Sequence, residues 1–89
     1  MKTGFTKSFA KDLKRYQRDK KLLRRIHETI LEIEGADNIS NIKSLKKLKA
    51  GGSFYRIRLG NYRMGLIIEV ETVTFVRVLH RSEIYRYFP

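Results

Sequence analysis

Arg56, Arg58 and Arg63, together with His80 and Tyr85, are the side chains whose types and spacing point to chemistry in this chain. Arg56 and Arg58 alternate along Phe54-Tyr-Arg-Ile-Arg-Leu59, so an extended backbone carries both on one side. Arginine offers a planar fork of donors, which suits a phosphate better than a point charge does. A row of such forks predicts an anion-binding surface. The competing reading is a basic outer face that is only solvated, but like charges set opposite one another weaken a sheet. Stability alone therefore gives no reason for such a row.

The elements that must hold these residues lie between Phe54 and His80. Three β-branched and aromatic runs are separated by Gly60-Asn61 and by Glu71-Thr72, which predicts a three-stranded antiparallel meander. With Gly60-Asn61 as a two-residue loop, Leu59 pairs with Tyr62 and Arg58 lies opposite Arg63; Arg56 then faces Gly65, whose missing side chain leaves floor space. With Glu71-Thr72 as the second loop, Val70 pairs with Val73 and His80 lies opposite Arg63. The other face collects Tyr55, Ile57, Leu59, Tyr62, Met64, Leu66, Ile68, Val70, Val73, Phe75 and Leu79 as a core. Arg77 falls on that face too, and fits only if it lies near an edge and extends its charged end to water. Ile67, Val76 and Val78 fall on the basic face.

Upstream, Lys2 to Phe5 reads as a short edge strand and Thr6 as an N-cap. Phe9, Leu13 and Tyr16 follow at helical spacing, giving a first helix over residues 7–17. Asp19 caps a second helix whose stripe of Leu22, Leu23, Ile26, Ile30 and Ile33 stops at Gly35. The short link between them predicts a helical hairpin, and the core face of the meander is its only partner. The expected fold is therefore α+β: an antiparallel helical hairpin on one face of a small antiparallel sheet, with the arginine face uncovered. Residues 36–52 read as a polar loop anchored by Ile42, Leu45 and Leu48, with Lys43, Lys46, Lys47 and Lys49 as a basic run beside the arginine strand. Ser82 caps a short terminal turn of helix that returns Tyr85 to the arginine row, while Tyr87 and Phe88 close the core edge. His27, on the second helix, is given no chemistry.

Composition sets the outer bounds. The 89 residues make one domain, 1–89, with a single modest core. Twenty Lys+Arg against nine Asp+Glu leave a net charge of +11, which calls for a polyanionic partner. Without cysteine there is neither a disulfide nor a thiolate metal site, and the two histidines have no ligand spacing, so no metal or other cofactor is expected. No apolar run approaches membrane-spanning length and no signal peptide is evident, which makes the cytoplasm the expected compartment.

The order of helix, helix, Lys-rich loop, then Leu48 … Tyr55-Arg-Ile-Arg-Leu-Gly-Asn-Tyr62-Arg63 … His80-Arg81-Ser82-Glu83-Ile84-Tyr85 resembles the RelE/ParE superfamily of type II toxin–antitoxin toxins. The resemblance spans nearly the whole chain and is closer to the RelE branch. It implies a ribosome-dependent endoribonuclease that cuts messenger RNA in the A site of the 70S ribosome. In that reaction the substrate's own 2′-hydroxyl attacks the adjacent phosphorus and leaves a 2′,3′-cyclic phosphate, with no metal. Arg58 and Arg63 would stabilise the developing charge, with Arg56, Arg81, Lys47 and Lys49 on RNA phosphates. Many RelE-like enzymes carry lysines where this chain has Arg56 and Arg58, and arginine does not release its proton. Proton transfer would then fall to His80 and Tyr85. The resemblance also implies an antitoxin whose acidic or amphipathic segment wraps the domain. Two other readings keep the same residues but give them no catalytic role. One is a ParE-like inhibitor of DNA gyrase, and the other is a non-catalytic basic module that binds RNA or the ribosome.

Overall fold

In the computed structural model, which describes all 89 residues, the chain runs β1 (Lys2–Phe5), α1 (Lys7–Arg15), α2 (Lys20–Gly35), a 3₁₀ turn (Ile39–Asn41), β2 (Leu45–Lys47), β3 (Phe54–Leu59), β4 (Tyr62–Glu69), β5 (Thr72–His80) and α3 (Ile84–Tyr87). The strands form one five-stranded sheet in the order β1-β5-β4-β3-β2. β3, β4 and β5 are the expected antiparallel meander, and β1 joins β5 in parallel, which makes the sheet mixed. β2 falls where the sequence predicts a loop; it pairs with β3 over Leu45↔Ile57, Lys46↔Arg56 and Lys47↔Tyr55.

Both helices begin where their caps predict. The Thr6 hydroxyl accepts from the Phe9 N–H, and Asp19 accepts from the Leu22 N–H, each satisfying one orphan donor of a first turn. Thr6 has a second role, donating its hydroxyl to the Val76 carbonyl at 2.7 Å, while its own N–H reaches the Phe75 carbonyl. The start of α1 thus takes over the edge of β5 where pairing with β1 ends. The main core lies between the sheet and the two helices, with Phe9, Leu22, Ile26 and Ile33 on the helices and Ile57, Met64, Leu66, Val73, Phe75 and Val78 on the strands.

The first hairpin has the register expected from Gly60-Asn61, with Leu59↔Tyr62, Arg58↔Arg63 and Arg56↔Gly65. Gly60 alone takes the positive φ, at 62°. The second hairpin differs. Its loop is Val70-Glu71, because Glu69 pairs with Thr72, and Val70 is left fully exposed at φ 55° rather than paired with Val73 in the core. A bulge then falls between Gly65 and Leu66, leaving Val76 as the extra residue on β5. One extra residue exchanges the faces of everything beyond it. Val78 therefore enters the main core and Leu79 moves to the arginine face, the reverse of the expected assignment. His80 lies opposite Tyr62, not Arg63.

The bulge also accounts for Arg77, which lies opposite Gly65 on the stretch of β5 that has no β1 beside it. From that free edge its guanidinium reaches the buried Asp12 of α1, with Nε donating to Oδ2 at 2.8 Å and Nη2 to Oδ1 at 3.1 Å. The Val78 N–H donates to the same carboxylate at 3.0 Å. The burial of Asp12 is therefore matched by hydrogen bonds on both oxygens.

The arginine face is not uncovered. Leu79, Ile84 and Phe88 form a second, smaller core there, flanked by Leu48, Phe54 and Val76. The floor space at Gly65 belongs to Phe88: a Cβ at Gly65 would lie 2.5 Å from two atoms of the Phe88 ring. Phe88 closes a core as expected, whereas Tyr87 is exposed, with the Arg77 guanidinium 5.2 Å above its ring.

Candidate functional site

Arg63 is the centre of the site. Its β4 position puts it opposite Arg58, with Arg56 two residues along on the same face. The side chain is buried, and Nη1 donates to the carbonyls of Gly60 at 2.7 Å and Tyr62 at 2.9 Å. The β3–β4 turn thereby fixes the guanidinium, leaving its other nitrogens free of protein acceptors. Burial lowers its pKa from the ordinary arginine value, and Arg58, Arg56 and Arg81 lower it further, while Tyr85 acts in the opposite direction. Four guanidinium groups and one phenol therefore share this end of the sheet.

No carboxylate neutralises them. The two ion pairs in the protein are Arg15–Glu83 and Arg77–Asp12, and neither belongs to the cluster. An enclosed cation surrounded by like charges is held there by the fold at a cost, and an anion placed among them relieves it. Such a cluster has the chemistry to bind phosphate, and its rigidity suits negative charge that develops during a reaction.

Tyr85 reaches this group through α3, which is four residues long and held from both sides. At its start, Glu83 pairs with Arg15 of α1 at 3.3 Å. At its end, Phe88 fills the Gly65 hollow and meets Phe54 edge-on. Between them, Arg77 ties Tyr87 to Asp12. Tyr85 itself is exposed. Arg81 is set beside the β3–β4 turn by its own N–H, which donates to the Asn61 carbonyl at 2.7 Å.

His80 stands apart from the row. Its ring packs edge-on to Tyr62, which in turn meets Tyr16 at the C-terminal cap of α1, so the imidazole lies on the helix side of the sheet. Nδ1 accepts from the Ser82 N–H at 3.1 Å and lies 2.8 Å from the Ser82 hydroxyl. Ser82 is thus occupied with His80, and Glu83, without a side-chain cap bond, takes the N-cap position of α3. The expected convergence of His80 on the arginines does not occur, because the bulge turns it to the other face.

Residues 4–85 match the family described as "ParE toxin of type II toxin-antitoxin system, parDE". The chain belongs to the RelE/ParE family of type II toxins. It is 42% identical over 90 residues to Toxin RelE3 of Methanocaldococcus jannaschii, covering 100% of both chains. The crystal structure of the RelB-RelE antitoxin-toxin complex from Methanococcus jannaschii superimposes with a TM-score of 0.79 at 41% identity, over 97% of this chain and 99% of that one. The RelBE2 toxin-antitoxin complex of Mycobacterium tuberculosis matches at TM-score 0.56 and 28% identity, over 90% and 96% of the two chains. This protein is a RelE-like toxin of a type II toxin–antitoxin system.

Within this RelE-like toxin the lysines divide unexpectedly. Lys47 pairs with Tyr55 and so shares the helix side of the sheet, while Lys46, opposite Arg56, joins the arginine face. Lys49 is exposed in the turn that follows β2. Lys46 was hidden because β2 is three residues long and carries only one half-buried apolar residue, too little alternation to show a strand. Arg25 of α2, exposed between the buried Leu22 and Thr29, lies against the β3–β4 turn, where a Cβ on Gly60 would stand 2.9 Å from its Nη1.

Proposed function

We propose that this toxin is a ribosome-dependent endoribonuclease that cleaves messenger RNA in the ribosomal A site without a metal. The observation that carries the reading is the exposed Tyr85 phenol held beside a buried, carboxylate-free Arg63 and its three arginine neighbours. In the proposed step the 2′-hydroxyl loses its proton and forms a bond to the adjacent phosphorus. The bond from phosphorus to the 5′-oxygen breaks, and that oxygen takes up a proton. Arg63, Arg58 and Arg56 donate to the phosphoryl oxygens as charge accumulates on them. Arg81 and Lys46 hold flanking phosphates. Tyr85 carries the protein's share of proton transfer, because the arginines do not release their protons and Lys46 is committed to a flanking phosphate. His80 gives up that role and supports the turn that leads into α3.

Primer extension on a reporter message in a translating extract tests the reading. Cuts within codons, appearing only during translation and lost by at least roughly a hundredfold in Tyr85→Phe, are the expected result. The family match carries the ParE description, which favours inhibition of DNA gyrase as the second reading. An intact message together with loss of gyrase supercoiling would replace the first reading with the second.

A further inference from the structure

Gly60 has more than one guanidinium against it. Arg63 Nη1 donates to its carbonyl from the arginine face. From the helix side, Arg25 lies so close that a Cβ on Gly60 would stand 2.9 Å from Arg25 Nη1. Arg25 is exposed and belongs to neither ion pair of the protein. Glu28, one helical turn further along α2, does not pair with it although the spacing would permit it. A free guanidinium against the same glycine whose carbonyl holds the central arginine of the site has no structural acceptor of its own.

We propose that Arg25, seated on Gly60, is a substrate-binding residue that takes an RNA phosphate on the helix side of the β3–β4 turn. The strand then crosses the Gly60-Asn61 turn from the arginine face toward α2. This inference rests on the proposed nuclease function and extends its site by one contact. Gly60 serves two ends: it adopts the positive φ that the turn requires, and it leaves the space that brings Arg25 against the chain.

The test measures binding of a short fluorescein-labelled single-stranded RNA across a salt series, and co-sedimentation with ribosomes, for the wild type, Arg25→Ala, Arg25→Lys, Gly60→Asn and Arg58→Gln. Asparagine tolerates positive φ, so Gly60→Asn keeps the turn while filling the seat of Arg25. Lys2→Ala, at the far edge of the sheet on β1, is the control. The expected result is a slope of log affinity against log salt that falls by about 0.7 in Arg25→Ala, as for one lost single-strand phosphate contact, and by less in Gly60→Asn, which only displaces the end of the Arg25 side chain. Arg25→Lys keeps the slope, and Lys2→Ala changes nothing. In the cleavage assay KM rises and kcat holds, since Arg25 stands away from the reacting atoms. A change on the oligonucleotide assigns the phosphate to the message; a change in co-sedimentation alone assigns it to ribosomal RNA. Loss at Arg58→Gln with no change at Arg25→Ala in either arm overturns the Arg25 contact and leaves the nuclease reading intact. Loss at Arg25→Ala with no change at Arg58→Gln keeps the contact and removes the nuclease site, and no change in either variant removes both.

Discussion

Replacing Arg58 by glutamine should make the protein more stable and less active at once. Arg58 is exposed and directly opposite Arg63, so its charge meets a like charge across a strand pair and reaches no carboxylate. Removing a directly opposed like charge is worth roughly 0.2–1 kcal/mol. For a domain of this size that corresponds to a rise in melting temperature of about 1–8 °C. Glutamine keeps the length and polarity of the side chain, so the gain reports charge rather than packing. In the proposed reaction the same change removes a donor to the phosphoryl oxygens, and loss of one such donor costs about 10²–10³ in kcat. Thermal unfolding and single-turnover cleavage on programmed ribosomes read the two effects separately. Arg63→Gln should part from it, losing activity and stability together, because Arg63 also holds the carbonyls of Gly60 and Tyr62. A destabilised Arg58→Gln, or one that cleaves at the wild-type rate, would refute the idea that the fold carries this row for function.

Other variants probe the supports of the site. Gly65→Ala places a methyl 2.5 Å from the Phe88 ring, and the overpacking should cost about 1–3 kcal/mol and push α3 and Tyr85 away from Arg63, seen as loss of cleavage with altered Tyr85 NMR shifts. Asp12→Ala strips Arg77 and the Val78 N–H of their acceptor, and urea unfolding should show a loss of about 3–5 kcal/mol, as for a broken buried pair. Burial raises the pKa of Tyr16, whose hydroxyl has no hydrogen-bond partner. The folded state therefore resists its ionisation, and the stability this contributes is complete below the unfolded value of about 10 and is lost as pH rises through the higher folded value. Tyr16→Phe should flatten that alkaline decline in a melting-temperature profile, and an unchanged decline would exclude Tyr16 as its source.

The first hairpin was legible because glycine and asparagine leave few alternatives for a two-residue loop, and the Arg58–Arg63 pair followed from it. The second hairpin was not. Its turn uses Val70 at positive φ, a conformation a β-branched residue rarely adopts, so local preference pointed one residue too far along the chain. The bulge at Gly65/Leu66 added a change of face that no alternation rule contains, and Val78, Leu79 and His80 were misplaced together. Thr6, Asp19 and the stripe of α2 were readable because caps and helical period are local. The second core beneath α3 was hidden because Leu79, Ile84 and Phe88 become neighbours only once the bulge and the terminal turn are both in place.

The site is also divided along the chain in a way that sets when it comes into being. Arg56, Arg58 and Arg63 lie on one hairpin, but Tyr85 follows Arg63 by 22 residues, on the segment that Phe88 pins beneath the sheet. At synthesis rates of ~5–20 residues per second, that separation is roughly one to four seconds. During that interval the nascent chain has synthesised its arginine hairpin without the phenol that, in the proposed reaction, completes the site. On the proposed reading, an antitoxin present during synthesis has that interval in which to engage a chain whose site is not yet complete.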